Sequence, residues 1–226
     1  MCGRFVLKSS RRIKLAHLQT QNLPFAARYN IAPTQTILAI ADFGDGIEER
    51  LLTWGLIPSW STDGKAFINA RSETLEDRPS FSESFQERRC LIPADGFFEW
   101  RRPGKSKQPY YFQLKDEHAF AFAGIWDRWK SGTSSITSCA IITTVANELV
   151  AQLHDRMPVL LLPQDYETWL DRRTEPATLK RLLSPIESSR MKSHLVSSAV
   201  NHPDNDNSNL IQQVDIEAGT NLNLFG

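Results

Sequence analysis

The residues with the most chemistry to offer stand at the start of the chain. Cys2 follows Met1 directly in Met1-Cys2-Gly3-Arg4-Phe5. Initiator methionine is removed readily when the next side chain is small, as cysteine is. Removal leaves an α-amine and a thiol on one residue, with ordinary pKa values of ~7.7 and ~8.5. These two nucleophiles can add in turn to one aldehyde carbon, first as an imine and then as a five-membered thiazolidine. For a lone cysteine the plainer reading, a small residue ending a first strand, has the advantage. The company that Cys2 keeps decides between them.

Three further places offer partners. Glu99 lies between Phe98 and Trp100. A carboxyl in an aromatic pocket loses solvation, its pKa rises, and it becomes an acid or base useful near neutrality. Strand alternation with Glu99 on a wet face is the simpler alternative. His154 opens the turn His154-Asp155-Arg156-Met157-Pro158, where an imidazole can move protons or steady a hydroxyl. A surface histidine capping the preceding helix would look the same. Asn69 and Arg71 are two apart, so on a strand they share a face. Asn69 could orient an amine or a carbonyl, and Arg71 could clamp a phosphate. An Asx-turn beside a surface ion pair fits that spacing equally well.

The whole chain narrows the classes. Its 226 residues are 41% hydrophobic, 10% aromatic and 23% charged, as in a globular protein. No apolar run spans a bilayer, and Arg4, Lys8, Arg11 and Arg12 interrupt the start, so neither membrane nor secretion is expected and a cytoplasmic site is. Cys2, Cys90 and Cys139 form no disulfide framework and no CxxC pair, and the histidines are scattered; no metal and no cofactor are expected. Cys90 and Cys139 read as buried strand residues. The 26 basic and 26 acidic residues cancel, so any nucleic-acid site must be a local cluster of arginines.

The elements that must position these residues are short. Strands are expected at residues 1–7, 36–41, 48–54, 88–93, 110–114, 119–125, 136–144, 159–162 and 196–200. A helix capped by Ser9-Ser10 runs to about Gln21, Arg28 to Pro33 is a turn, and Gly44-Asp45-Gly46 joins a hairpin. An irregular helix over 73–85 breaks near Pro79, Arg101 to Gln108 is a polar loop, and helices cover 146–152 and 163–172. Trp54 is expected in the core and Trp60 nearer the surface. The fold class is α+β: a single domain over residues 1–226 with a strongly bent, barrel-like, mostly antiparallel β core and peripheral helices. Its core covers about 2–200, with a polar tail after it.

The ordered series carries more than any one motif. Cys2-Gly3-Arg4, Trp54-Gly55-x-x-Pro58, Asn69-Ala70-Arg71-x-Glu73-Thr74, Arg89-Cys90, Gly96-Phe97-x-Glu99-Trp100, Gln108-Pro109-Tyr110, Ala123-Gly124-Ile125-Trp126 and His154-x-Arg156-Met157-Pro158 occur in this order. Together they resemble the SRAP family of SOS-response-associated peptidases, also called abasic site processing proteins, from Cys2 to near Val196. The resemblance implies a sensor of abasic sites in single-stranded DNA, including DNA at replication forks, that crosslinks covalently through Cys2. It implies that His154 opens the sugar ring, that Glu99 serves as acid/base for imine formation and reversal, and that Asn69 orients the amine or sugar. Arg4 and Arg71 match positions that contact phosphates, and Asn30, Pro33, Trp60, Thr143 and Arg156 are weaker candidates for the DNA groove. It further implies a lyase side activity, self-cleavage of Met1 or removal by an aminopeptidase, a monomer, and association with the nucleoid. Family members often carry a second aromatic after the match to Trp60, and here Ser61 stands there. Two other readings stay open: an N-terminal-nucleophile amidotransferase, and a non-covalent single-stranded DNA-binding module.

Overall fold

The computed structural model describes residues 2–8, 13, 15, 18, 23, 26–101, 107–116 and 120–215. The expected helix to Gln21 and most of the Arg101–Gln108 loop lie outside them. The strands, in chain order, are β1 (Phe5–Leu7), β2 (Arg28–Ile31), β3 (Thr36–Asp42), β4 (Ile47–Trp54), β5 (Asn69–Arg71), β6 (Arg89–Ala94) and β7 (Gly96–Arg101). They continue with β8 (Gln108–Leu114), β9 (Phe120–Ser131), β10 (Ser134–Val145), β11 (Arg156–Pro158), β12 (Leu160–Leu161) and β13 (Met191–Leu195). The helices α1 (Ser82–Glu87), α2 (Glu148–Ala151), α3 (Tyr166–Leu170) and α4 (Pro176–Leu182) are short.

Five strands close on themselves. β10 pairs with β4, β4 with β3, β3 with β6, β6 with β9, and β9 returns to β10. Only the β10–β4 contact in that ring is parallel. Closure leaves these strands no unpaired edge. The remaining sheet runs β13-β8-β7-β1-β2, antiparallel throughout. The expected α+β class with a barrel-like, mostly antiparallel core is what the chain adopts.

Side chains of the ring strands alternate between two hydrophobic clusters. Cys90, Ile92, Phe120, Phe122, Cys139 and Ile141 pack with Phe5, Phe97 and Phe112 of the second sheet. Leu91, Ala121, Ala123, Ala140 and Ile142 pack with Phe85, Tyr166, Trp169 and Leu179 of the helices. Both faces are covered, which is why every residue of β6 is buried.

β1 is the strand that matters for Cys2. Phe5 meets Trp54 edge-on at 5.3 Å and Phe122 at 5.5 Å between ring centroids. β1 lies between β2 and β7, so the chain entering it stands beside Asn30 on one strand and Glu99 on the other. β7 itself must run tight against β8. A methyl added at Gly96 would lie 2.5 Å from the Phe112 carbonyl oxygen and would also strike the Tyr111 hydroxyl. Gly96→Ala should therefore destabilise the protein by about 1–3 kcal/mol, read from urea or thermal unfolding, because backbone has to move. An unchanged midpoint would contradict that packing.

Several expected elements change. Arg28 to Ile31 is a strand, because these residues pair with β1 even with Pro33 close behind. β9 continues past Trp126 to Ser131, and from Gly124 onward it pairs with β10. Val196–Val200 is no strand. The pairing segment is Met191–Leu195, and Ser198–Asn201 is a single helical turn capped by the Ser197 side chain. β-branched residues favour strands, but after the Val196 N–H bonds the Pro109 carbonyl, β8 runs out at its first residue, Gln108, and the pairing stops. The stretch 159–162 contributes only β12, and residues 156–158 of the expected turn form β11. α4 is an additional helix; its Leu179 and, just past its end, Leu183 belong to the second cluster. Trp54 is fully buried, and Trp60 is 58% exposed.

Candidate functional site

A cavity of about 350 Å³ opens at the entry to β1. Gly3, Arg4 and Pro33 line it from the β1–β2 side, Glu99 and Trp100 from β7, Lys107 from the start of β8, His154 from the turn after α2, and Asn201 from the chain after β13. Cys2 lies directly beside Gly3, with its side chain fully buried in the core. Asn69 reaches it from β5: its Nδ2 donates to the Cys2 carbonyl at 2.9 Å. Asn69 Oδ1 is buried and accepts no hydrogen bond among the described residues.

The local electrostatics follow from burial. The Cys2 thiol is driven far above its ordinary value, first by lost solvation and then by the neighbouring Glu99 carboxylate. It is therefore a neutral thiol, 3.9 Å from the Arg4 carbonyl oxygen. Glu99 is also pushed up, chiefly by desolvation. The carboxyl is thus poised closer to neutrality than a surface glutamate, and it does not sit on a wet face.

His154 is held by its own turn. Its Nδ1 accepts the Arg156 backbone N–H at 3.0 Å. The same nitrogen lies 2.9 Å from Asp155 Oδ1, a carboxylate that is 85% exposed. One nitrogen cannot accept from the first and donate to the second. The backbone bond is the better-determined partner, since a solvated carboxylate contributes little, and it puts the ring proton on Nε2.

β10 collects the remaining groups. It pairs with β5 at Ile141↔Asn69 and Thr143↔Arg71, and with β11 at Val145↔Arg156. Arg156 is buried: its guanidinium forks onto Glu73, with Nη2–Oε2 at 2.9 Å, and donates to the Thr143 carbonyl at 2.6 Å. Thr143 is fully buried beneath it. These two residues hold the base of the His154 turn from inside and offer no open face. Asn30 is also fully buried, behind Arg4. Arg71 is exposed and makes no ion pair or side-chain hydrogen bond among the described residues. Trp60 stands outside the cavity, with its indole N–H directed at the Pro79 carbonyl. Beside it, the Ser61 carbonyl accepts from Trp129 Nε1 at 2.7 Å, so the indole of Trp129 braces the loop next to Trp60.

The cavity thus gathers Arg4, Pro33, Glu99 and His154, and Asn69 joins through Cys2. Lys107, Trp100 and Asn201 were not singled out from sequence. Trp100 could have been, from its place next to Glu99; Asn201 sits in a polar run with no distinguishing pattern. Among the described residues no group of three or more His, Cys, Asp or Glu side chains could hold a metal ion, and no helix is long and apolar enough to cross a membrane. The arrangement joins an acid/base pair to a guanidinium next to a buried thiol, which suits addition to a carbonyl on an anionic substrate.

Comparison with known proteins follows the same lines. The family model described as SOS response associated peptidase (SRAP) matches residues 1–203. The abasic site processing protein YoqW of Bacillus subtilis is 42% identical over 224 residues, covering 94% of this chain and 99% of that protein. The abasic site processing protein YoaM of the same organism is 40% identical over 223 residues, covering 93% and 97%. A crystal structure of a protein from Bacteroides thetaiotaomicron superposes with a TM-score of 0.75 at 31% identity, over 82% of this chain and 85% of that one.

Proposed function

The chain belongs to the SOS response associated peptidase (SRAP) family, and on that footing we propose that it processes abasic sites by capturing them covalently in single-stranded DNA. The observation that carries this reading is the convergence of the Glu99 carboxyl, the His154 imidazole and the Arg4 guanidinium on one cavity beside Cys2. The substrate is the ring-opened deoxyribose, an aldehyde flanked by phosphates.

Removal of Met1, by self-cleavage or by a methionine aminopeptidase, exposes the Cys2 α-amine. His154, with its proton on Nε2, assists opening of the sugar ring. The amine adds to the aldehyde carbon and one water leaves, giving an imine. Glu99 moves the protons of that step. The Cys2 sulfur then bonds to the same carbon, its proton passing to the nitrogen, and the thiazolidine closes. Asn69 Oδ1 supplies a buried acceptor for the α-amine, which would satisfy an atom that has no partner among the described residues. The same imine makes reversal and a weak β-elimination lyase activity accessible.

Arg4 takes one flanking phosphate, and Arg71, with no competing carboxylate among the described residues, takes another. Phosphate contacts hold a strand without reading its bases. Trp60 offers an exposed face for stacking. Thr143, Arg156 and Asn30 act from behind, by positioning. One copy of the chain suffices for this chemistry.

The test is direct. Processed protein mixed with a single-stranded oligonucleotide holding one abasic site should give a species that survives a denaturing gel, and an intact or tetrahydrofuran-containing strand should not. Turnover of glutamine, or only reversible DNA binding, would sink the reading.

A further inference from the structure

Arg4 is held in an unusual way. Its Nη1 donates to Asn30 Oδ1 and to the Val200 carbonyl, both at 2.8 Å, and its Nη2 to the Asn201 carbonyl at 3.4 Å. Every acceptor is neutral. Asn30, fully buried, spreads its Nδ2 over the carbonyls of Val200, His202 and Asn205 at 3.2, 3.0 and 2.8 Å. The strap that supplies these carbonyls is tied down on both sides. Asn201 Oδ1 accepts from Trp100 Nε1 at 2.6 Å, and its Nδ2 donates to the Lys107 carbonyl at 3.3 Å. Asp206 accepts the Tyr29 N–H at 2.5 Å and pairs with Arg28. Val200 and Leu210 anchor it in a third cluster with Val6 and Phe98.

We propose that Asn30 and the strap Val200–Asp206 are a positioning device that aims Arg4 at a phosphate. A guanidinium has five N–H donors in a rigid plane. Three are taken by the cradle, and Nε–H and one Nη2–H have no partner among the described residues. Neutral acceptors fix the plane without cancelling the charge; a carboxylate in their place would compete with the incoming anion. Holding a long side chain in place beforehand removes an ordering cost from binding. The cradle uses Asn205 and Asp206, beyond the family match that ends at residue 203.

The inference rests on the reading that Arg4 takes a phosphate, and its test separates the two. A single-stranded oligonucleotide with a tetrahydrofuran abasic analogue lacks the aldehyde, so it reports binding alone. Its Kd is measured against salt for wild type, Arg4→Gln, Asn30→Ala and the double variant, each checked for a folded melt. Arg4→Gln and Asn30→Ala should each weaken binding about tenfold and flatten the log–log salt slope by ~0.7, one single-strand phosphate contact. The double variant should be within about twofold of Arg4→Gln, since both act on one contact. Should Asn30→Ala not fold, Asn201→Ala loosens the strap from the edge and is judged by the same criteria. Additive losses, or weaker binding with an unchanged slope, would overturn the assignment to Asn30 and the strap. No effect of Arg4→Gln would overturn the phosphate reading and this assignment with it.

Discussion

Cys2→Ala should abolish the denaturation-resistant adduct with abasic DNA while leaving a folded protein. Alanine is also small, so Met1 is removed as before and the α-amine is still presented. What is lost is the second nucleophile. The variant can form an imine, which water reverses, but it cannot close the ring. Borohydride should therefore still trap it on DNA, whereas untreated samples should run free on the gel. The structure sharpens the reason. The thiol is fully buried and its pKa is driven up by lost solvation and by Glu99, so it is a poor free nucleophile. It needs the aldehyde carbon delivered next to it as an imine. A variant that crosslinks as stably as wild type would remove Cys2 from the account.

Glu99→Gln should slow crosslinking by about 10²–10⁴-fold, the usual contribution of a positioned acid or base. Glutamine keeps the shape and cannot carry the proton. Desolvation raises the Glu99 pKa. In the wild type the rate should lose activity on the acid side as Glu99 becomes protonated, at a pH above the ordinary carboxylate range; in the variant that limb should vanish. Stability moves with the opposite sign. A folded pKa above the unfolded one favours the protonated fold, a contribution present below the unfolded pKa and lost as pH rises through the raised value. Wild type should therefore lose ground to Glu99→Gln as pH increases, measured by parallel urea titrations. A rate within a few-fold of wild type, with the acid limb intact, would exclude Glu99 as the proton carrier.

Much of this site was legible because its chemistry is local in sequence. The adjacency of Met1 and Cys2, the aromatic flanks of Glu99 and the strand spacing of Asn69 and Arg71 each name a chemistry before any fold is known. The barrel was legible as a class, since short apolar runs between turn signals mark strands; the pairing that closes β9 onto β10 was not. Two features depend on the fold and not on residue type. The family resemblance suggests Asn30, Thr143 and Arg156 for the DNA groove, and in the structure each spends its hydrogen bonds inside the fold. Asn201 to Asn209 read as a tail because it is polar, but Asn201 lines the cavity and the carbonyls of Asn201, His202 and Asn205 hold Arg4 and Asn30 from behind. Backbone acceptors leave no mark in residue types, so only their positions in the fold reveal them.

The most direct measurement is the mass of the protease-released N-terminal peptide after reaction with an abasic oligonucleotide and nuclease digestion. The account predicts a peptide that begins at Cys2, carries the sugar remnant with the loss of one water, and resists alkylation at sulfur. A peptide that still begins at Met1 in the crosslinked species, or a remnant attached at any residue other than Cys2, would contradict it.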